Sequence, residues 1–445
     1  MRRAVVVGSG PNGLAAAVRL AQAGLAVEVV EAHSELGGGM RTAELTLPGF
    51  RHDVCSAIHP LARASPVFRE LEIDWVDSPA ACAHPFDDGT AVTLDRGVDE
   101  TAAQLGSDAS SYRRLVEPFV RAAERFAAGR LPLANVLAAF RPARAIAERR
   151  FAGERGRGFF AGHAAHSMLP LERSPSAGFG LVLLGLGHAV GWPFPRGGTS
   201  ALAEGLAAKL RALGGTIRTG AAADELPRAD LVLCDVVPRE LVRVARGRLP
   251  ARYERRLLRY RHGPGAFKLD WALSGPIPWQ ADACRRAATV HLGATLEEIS
   301  RSERDNLSMR PFVLLAQQSL FDDTRAPSGQ ETAWAYCHVP NGSTIDRVAA
   351  IEAQVERFAP GFGELVLARA VRKPRDLEAE NRNNVGGDIN GGLMNLRQLL
   401  IRPTPLPYRT PLRGVYLCSS ATPPGGGVHG LCGVAAARLA LRDLR

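Results

Sequence analysis

The feature that most constrains the fold is Gly8-Ser9-Gly10-Pro11-Asn12-Gly13, lodged between a β-branched run and an alanine-rich run. Ala4–Val7 reads as a strand, Leu14–Gln22 as a helix ended at Gly24, and Ala26–Val30 as a second strand. That order is how a parallel α/β sheet presents a dinucleotide turn. Gly8 permits the tight bend, Gly10 lets backbone approach a diphosphate, and Gly13 lets helix and strand pack closely. After Pro11 and Asn12 of the turn, the helix N-terminus offers unpaired N–H groups and a positive dipole end to the phosphates. Glu31 ends the second strand, where a carboxylate accepts hydrogen bonds from ribose hydroxyls and repels a 2′-phosphate.

Two further segments favour FAD over NAD. Directly after Glu31 comes a second glycine turn, Gly37-Gly38-Gly39-Met40-Arg41-Thr42, whose backbone can reach a cofactor and whose Arg41 can meet a pyrophosphate. Near the other end, the strand Gly414–Cys418 runs into Thr422-Pro423-Pro424-Gly425-Gly426-Gly427-Val428-His429-Gly430, followed by a helix. That helix N-terminus is expected to point its dipole at a flavin pyrimidine. Thr422, Gly427, His429 and Gly430 are the expected contacts there, with His429 bonding a flavin carbonyl or relaying a proton. His59, after Asp53 and Cys55, is a second histidine able to face the flavin.

Composition excludes several classes. The formal charge of +10 is carried by arginine, since the only lysines are Lys209, Lys268 and Lys373. The basic residues form no long run and accompany no nucleic-acid motif, so no nucleic-acid partner is expected. Seven scattered cysteines without a C-x-x-C pair argue against a disulfide framework and against a zinc site. The apolar run Val5–Val7 breaks at Gly8, too soon for a secretory signal, and Ala177–Trp192 is too glycine-rich to span a membrane. A cytoplasmic protein is expected, with peripheral membrane contact through the arginine-rich, partly apolar stretch Leu131–Phe160 as the minority reading.

Between the nucleotide segments, residues 86–96 read as a hairpin turning at Asp87-Asp88-Gly89, and residues 99–157 as helical. Ser200–Leu213 reads as a helix; Thr216–Thr219, Leu231–Cys234, Phe267–Leu273 and Phe312–Ala316 read as strands, and Gly430–Leu441 as the closing helix. Leu184–Gly191 mimics another nucleotide fingerprint, but Trp192-Pro193-Phe194-Pro195 cannot supply the helix it requires. Without a second nucleotide site, oxygen, a quinone or a protein carrier is the expected electron acceptor.

Together these segments resemble the phytoene desaturase-like branch of flavoprotein oxidoreductases, and within it the pyridine nucleotide-disulphide oxidoreductase domain-containing protein 2 group. The similar stretches include GGGMRT, GHAVGWPFPRGG, GPGAFKLDWALSGPIPW, QQSLFDDTRAPSGQ and VYLCSSATPPGGGVHGLCG. The resemblance implies an α/β fold of the amine-oxidase-like, two-dinucleotide-binding type. A Rossmann-like FAD-binding domain (1–80, 195–240 and 390–445) would interleave with a mixed-sheet plus helical substrate domain (81–194 and 241–389). It also implies that Lys268, in the apolar strand Ala266–Asp270, holds a water beside the flavin N5 position. A partly buried amine titrates and binds water in ways a guanidinium does not. The chain is shorter than typical carotenoid desaturases, with the segment around Ala221–Leu226 trimmed, which argues against a carotenoid substrate.

The activity these expectations describe is dehydrogenation of a C–H bond in a hydrophobic small molecule, with hydride passing to flavin. A redox-neutral isoprenoid isomerase or saturase would use the same site. A non-enzymatic lipid or prenyl-binding escort is the third reading, disfavoured because a lipid carrier has no use for a pyrophosphate cradle.

Overall fold

A computed structural model describes residues 2–127 and 137–444. Strand Arg3–Val7 lies at the centre of a five-stranded parallel sheet, and its alternation explains why both faces are covered. Ala4 and Val6 pack on the helices Pro11–Gln22 and Leu431–Asp443, whereas Val5 and Val7 face Leu241 and Val244 on the other side. Each fully buried valine contributes about 1.5–3 kcal/mol. The strand order is Val415–Leu417, Leu231–Cys234, Arg3–Val7, Ala26–Val30, Thr216–Arg218. The two helices meet at unusually short range, because a Cβ on Gly433 would lie 1.8 Å from the Asn12 carbonyl oxygen. Glycine at 433 thus brings the C-terminal helix alongside the nucleotide turn.

The second sheet has seven strands, ordered Val366–Arg372, Gly265–Leu273, Glu331–Val339, Val313–Ala316, Thr289–Leu292, Cys82–Pro85, Ala91–Leu94. All neighbours run antiparallel except Thr289–Leu292 with Cys82–Pro85. Register sets its two faces apart. Lys268 pairs with Tyr336, Tyr336 with Leu314, and Leu314 with His291, so these four share a face. The opposite face buries Phe267, Leu269, Val313 and Leu315 against Val355 and Phe358 of helix Val348–Phe358.

Most expected elements appear within a residue or two. The hairpin turns at Asp87-Asp88-Gly89 as expected, although its strands are Cys82–Pro85 and Ala91–Leu94. The helical stretch from residue 99 resolves into the helices Val98–Ala103, Ala109–Ala127, Ala143–Arg150 and Glu154–Ala165, while Leu131–Val136 lies outside the described residues. Ala177–Trp192 forms the buried helix Ser176–Val190. Its glycines serve packing: a Cβ on Gly185 would sit 2.6 Å from the Phe119 carbonyl oxygen. No helix of the described residues is long and apolar enough to cross a membrane.

Candidate active site

A cleft of about 660 Å³ runs from the glycine turn to the face of the mixed sheet that carries Tyr336 and Leu314. At one end its wall is Gly8, Gly10, Pro11, Asn12, Glu31 and, from the second glycine turn, Gly38, Gly39 and Arg41. A Cβ on Gly10 would meet Asp235 Oδ2 at 2.7 Å, and one on Gly38 would meet Gly10 Cα at 3.1 Å. The two glycine turns therefore touch, and the absence of side chains leaves their backbone facing the cleft.

Glu31 is held rigidly at this end. One carboxylate oxygen accepts from the Ser9 amide at 2.8 Å and the Ser9 hydroxyl at 2.7 Å, and the other accepts from the His33 amide at 2.8 Å. Arg41 donates to the Gly38 carbonyl at 3.0 Å and pairs with Glu380 at 2.9 Å, which draws the segment after helix Pro374–Glu380 over the cleft. Asn12 Oδ1 and Asn390 Nδ2 are buried polar atoms without a partner in the protein, both from cleft-lining residues. Orphaned polar atoms in a cleft mark where a ligand completes the hydrogen bonding. With the glycine cradle and Glu31, these fit a dinucleotide such as FAD.

The far end is floored by the mixed sheet. Trp334 and Tyr336 stack at 5.7 Å between centroids, and Leu314, Ala316, Leu183 and Trp192 complete an apolar surface. His59 lies on the wall between the two ends, its Nε2 3.1 Å from the Thr199 hydroxyl. Burial pulls its pKa down to about 4, so it is neutral at physiological pH.

Several expected site residues lie off the cleft wall. Gly13 donates to Asp235 at 2.8 Å. Met40 is buried among Leu14, Leu202 and Leu206, and the Thr42 hydroxyl donates to Asp53 at 2.8 Å. The Thr422 hydroxyl donates to the Ser419 carbonyl at 2.7 Å, and Gly430 caps the C-terminal helix at φ 70°. Of that turn, Gly427 and Val428 reach the cleft. His429 turns into its own loop: Nδ1 accepts from the Leu431 amide at 3.0 Å and Nε2 donates to the Gly425 carbonyl at 3.2 Å. Burial lowers its pKa to about 4.

Lys268 shares the sheet face of Trp334 and Tyr336 but does not line the cleft. Its ammonium bonds to Asp270, and its Nζ is 5.2 Å from the centroid of the Trp334 ring. Burial pulls its pKa below the usual amine range, with Asp270 opposing.

Sequence reasoning missed Asp235, Glu380 and Asn390. Asp235 follows a buried strand and is itself buried, which drives its pKa up to about 7. An acid directly after an apolar strand was the available signal. Glu380 ends the short helix Pro374–Glu380 and Asn390 stands on irregular backbone, and no periodicity reveals either.

The comparisons with known proteins agree with this geometry. The model of the NAD(P)-binding Rossmann-like domain matches residues 6–71. The pyridine nucleotide-disulfide oxidoreductase domain-containing protein 2 of Mus musculus is 26% identical, covering 99% of this chain and 94% of that one. The phytoene dehydrogenase of Streptomyces griseus is also 26% identical, covering 95% and 92%. The chain is thus similar along nearly its whole length to phytoene desaturase-like oxidoreductases. A putrescine oxidase variant superposes at TM-score 0.63 with 16% identity, covering 100% of this chain and 99% of that one, which shows the amine-oxidase-like fold. The chain is an FAD-dependent oxidoreductase.

Proposed function

We propose that the enzyme dehydrogenates a hydrophobic small molecule held against Trp334, Tyr336 and Leu314. The single observation that carries this reading is the continuity of one cleft from a dinucleotide cradle to an apolar aromatic floor. Such a floor binds by removing apolar surface from water, at roughly 25 cal/mol per Å². Bound in the cradle, FAD supplies the hydride acceptor. The chain contributes orientation and exclusion of water. Glu31 fixes the cradle, Gly427 and Val428 bring the turn before the C-terminal helix to the cleft wall, and Trp334 and Tyr336 present a flat surface for the substrate.

In this reading Lys268 is a positioning residue. It places a positive charge beside Trp334 without lining the cleft. Relatives that include a phytoene dehydrogenase support a greasy substrate of isoprenoid or similar character. Oxygen, a quinone or a protein carrier completes the cycle. A redox-neutral isomerisation would use the same surfaces and differs only in its products.

The test is anaerobic mixing of the purified flavoprotein with a panel of isoprenoids, acyl compounds and amines, following bleaching of the oxidised flavin. Bleaching by an apolar compound with a desaturated product supports dehydrogenation. Isomerised product without bleaching supports the redox-neutral reading. Bleaching by charged amines alone contradicts the proposal.

A further inference from the structure

The mixed sheet carries a second concentration of chemistry, away from the glycine turns. Cys82 and His84 alternate onto one face of strand Cys82–Pro85. His291 stands beside them on Thr289–Leu292, because Val290 is registered with Ala83. His163 reaches the same spot from helix Glu154–Ala165. All four side chains are fully buried.

One nitrogen of each imidazole is committed. His163 Nδ1 is 2.8 Å from the Phe159 carbonyl, and His84 Nε2 is 2.8 Å from the Ala294 carbonyl. A carbonyl only accepts, so those nitrogens carry the protons and leave lone pairs on His163 Nε2 and His84 Nδ1. His291 Nε2 lies 2.9 Å from His166 Nε2, which leaves His291 Nδ1 as the third nitrogen. None of these three remaining nitrogens has a hydrogen-bond partner. Gly162 stands between two of them: a Cβ there would be 3.0 Å from both His84 Nδ1 and His291 Nδ1.

Converging lone pairs in a dry interior are costly unless an electron-poor group lies among them. Neutral imidazole is the ligating form. The donor atoms of Cys82, His163 and His291 all lie within 4.8 Å of one another. Tetrahedral zinc, with bonds of about 2.0–2.1 Å to nitrogen and about 2.3 Å to sulfur, needs them roughly 3.3–3.6 Å apart. Small side-chain rotations close that difference.

We propose that Cys82, His163 and His291, with His84 as fourth donor, form a buried site for a zinc-type divalent cation. Thiol and imidazole donors select such an ion over magnesium or calcium, which take oxygen. On binding, the Cys82 S–H bond breaks, the thiolate bonds the metal, and the proton leaves to solvent. The ion ties helix Glu154–Ala165 to two strands of the sheet. Bound at Nδ1 of His291, it leaves the proton on Nε2, which donates to His166 on the cleft wall. The substrate end of the cleft is thereby fixed from behind.

The experiment uses the full-length flavoprotein from zinc-supplemented culture, passed over a weak chelating resin. Elemental analysis is expected to give about one zinc per chain. Zinc-edge X-ray absorption, to which flavin is silent, is expected to show one sulfur and two or three nitrogens in the first shell. Cys82→Ser and His291→Gln are expected to lose zinc by about ten-fold or more while retaining FAD, which reports a folded chain. Wild-type protein with under about a tenth of a zinc per chain overturns the site. So does a shell without sulfur, or a zinc content unchanged in both folded variants. If a variant fails to hold FAD, the wild-type sulfur signal decides.

Discussion

Gly13 donates its backbone N–H to the Asp235 carboxylate across 2.8 Å, at the helix N-terminus where a dinucleotide diphosphate is expected. Two negative groups thus claim one positive helix end. Burial drives the Asp235 pKa up to about 7, with the Gly13 hydrogen bond opposing and the charge of Glu31 adding.

The sign follows from that direction. An unfolded aspartate releases its proton near 3.9, whereas the folded one holds it to about 7. The contribution is fully present below about pH 4 and is lost as pH rises through about 7. A bound diphosphate adds negative charge beside it, so FAD affinity should fall between about pH 6 and 8. Asp235→Asn should flatten that dependence, as read by fluorescence of released FAD. Equal pH slopes in both proteins would contradict it.

Gly10→Val should abolish FAD retention. A Cβ at Gly10 meets Asp235 Oδ2 at 2.7 Å, and the branched chain beyond it would occupy the face the diphosphate needs. The measurement is the flavin-to-protein absorbance ratio after gel filtration. A ratio equal to wild type would show that the cradle is not at this turn.

Lys268→Met alone strands a buried carboxylate at Asp270 and should cost about 3–5 kcal/mol in denaturant unfolding. Pairing it with Asp270→Asn removes both charges. The double variant should keep its flavin spectrum yet slow one half-reaction, reduction or reoxidation, by roughly 10-fold or more. Stopped-flow rates matching wild type in both half-reactions would remove Lys268 from the account.

Arg325 joins Asp53 at 2.9 Å and Asp322 at 2.8 Å in the dry interior. Asp53 also accepts from Thr42 and from the Thr199 amide, so the cluster links the second glycine turn to the helix Ser200–Ala212. Burial pushes the Asp53 carboxyl up, but Arg325 and these donors outweigh it and hold it below the usual range. Arg325→Met should lower unfolding free energy by about 3–5 kcal/mol. A shift in midpoint too small to resolve would contradict the role.

The nucleotide turn was legible because its chemistry is local: strand, glycines, helix and Glu31 are contiguous in the chain. The pairing of Lys268 with Asp270 was legible in principle, since residues two apart share a strand face. His429 was not, because the loop conformation alone decides whether its ring faces the cofactor or its own carbonyls. Met40 and Thr42 sit in a glycine-rich turn yet point away from the cleft, which composition does not reveal. Strands Glu331–Val339 and Val366–Arg372 escaped notice, the second being a half-exposed edge with weak alternation. Cys82, His163 and His291 are too far apart in sequence for any spacing rule; only the sheet register and the helix above it unite them.

The proposed chemistry depends on FAD lying in the cleft that begins at Gly10 and Glu31. Its most direct test is the identity and amount of nucleotide released when the purified chain is denatured. Intact FAD is expected at about one equivalent per chain, either as purified or after incubation with the cofactor. Colourless protein that releases no FAD and cannot be loaded with it would contradict an FAD site in this cleft.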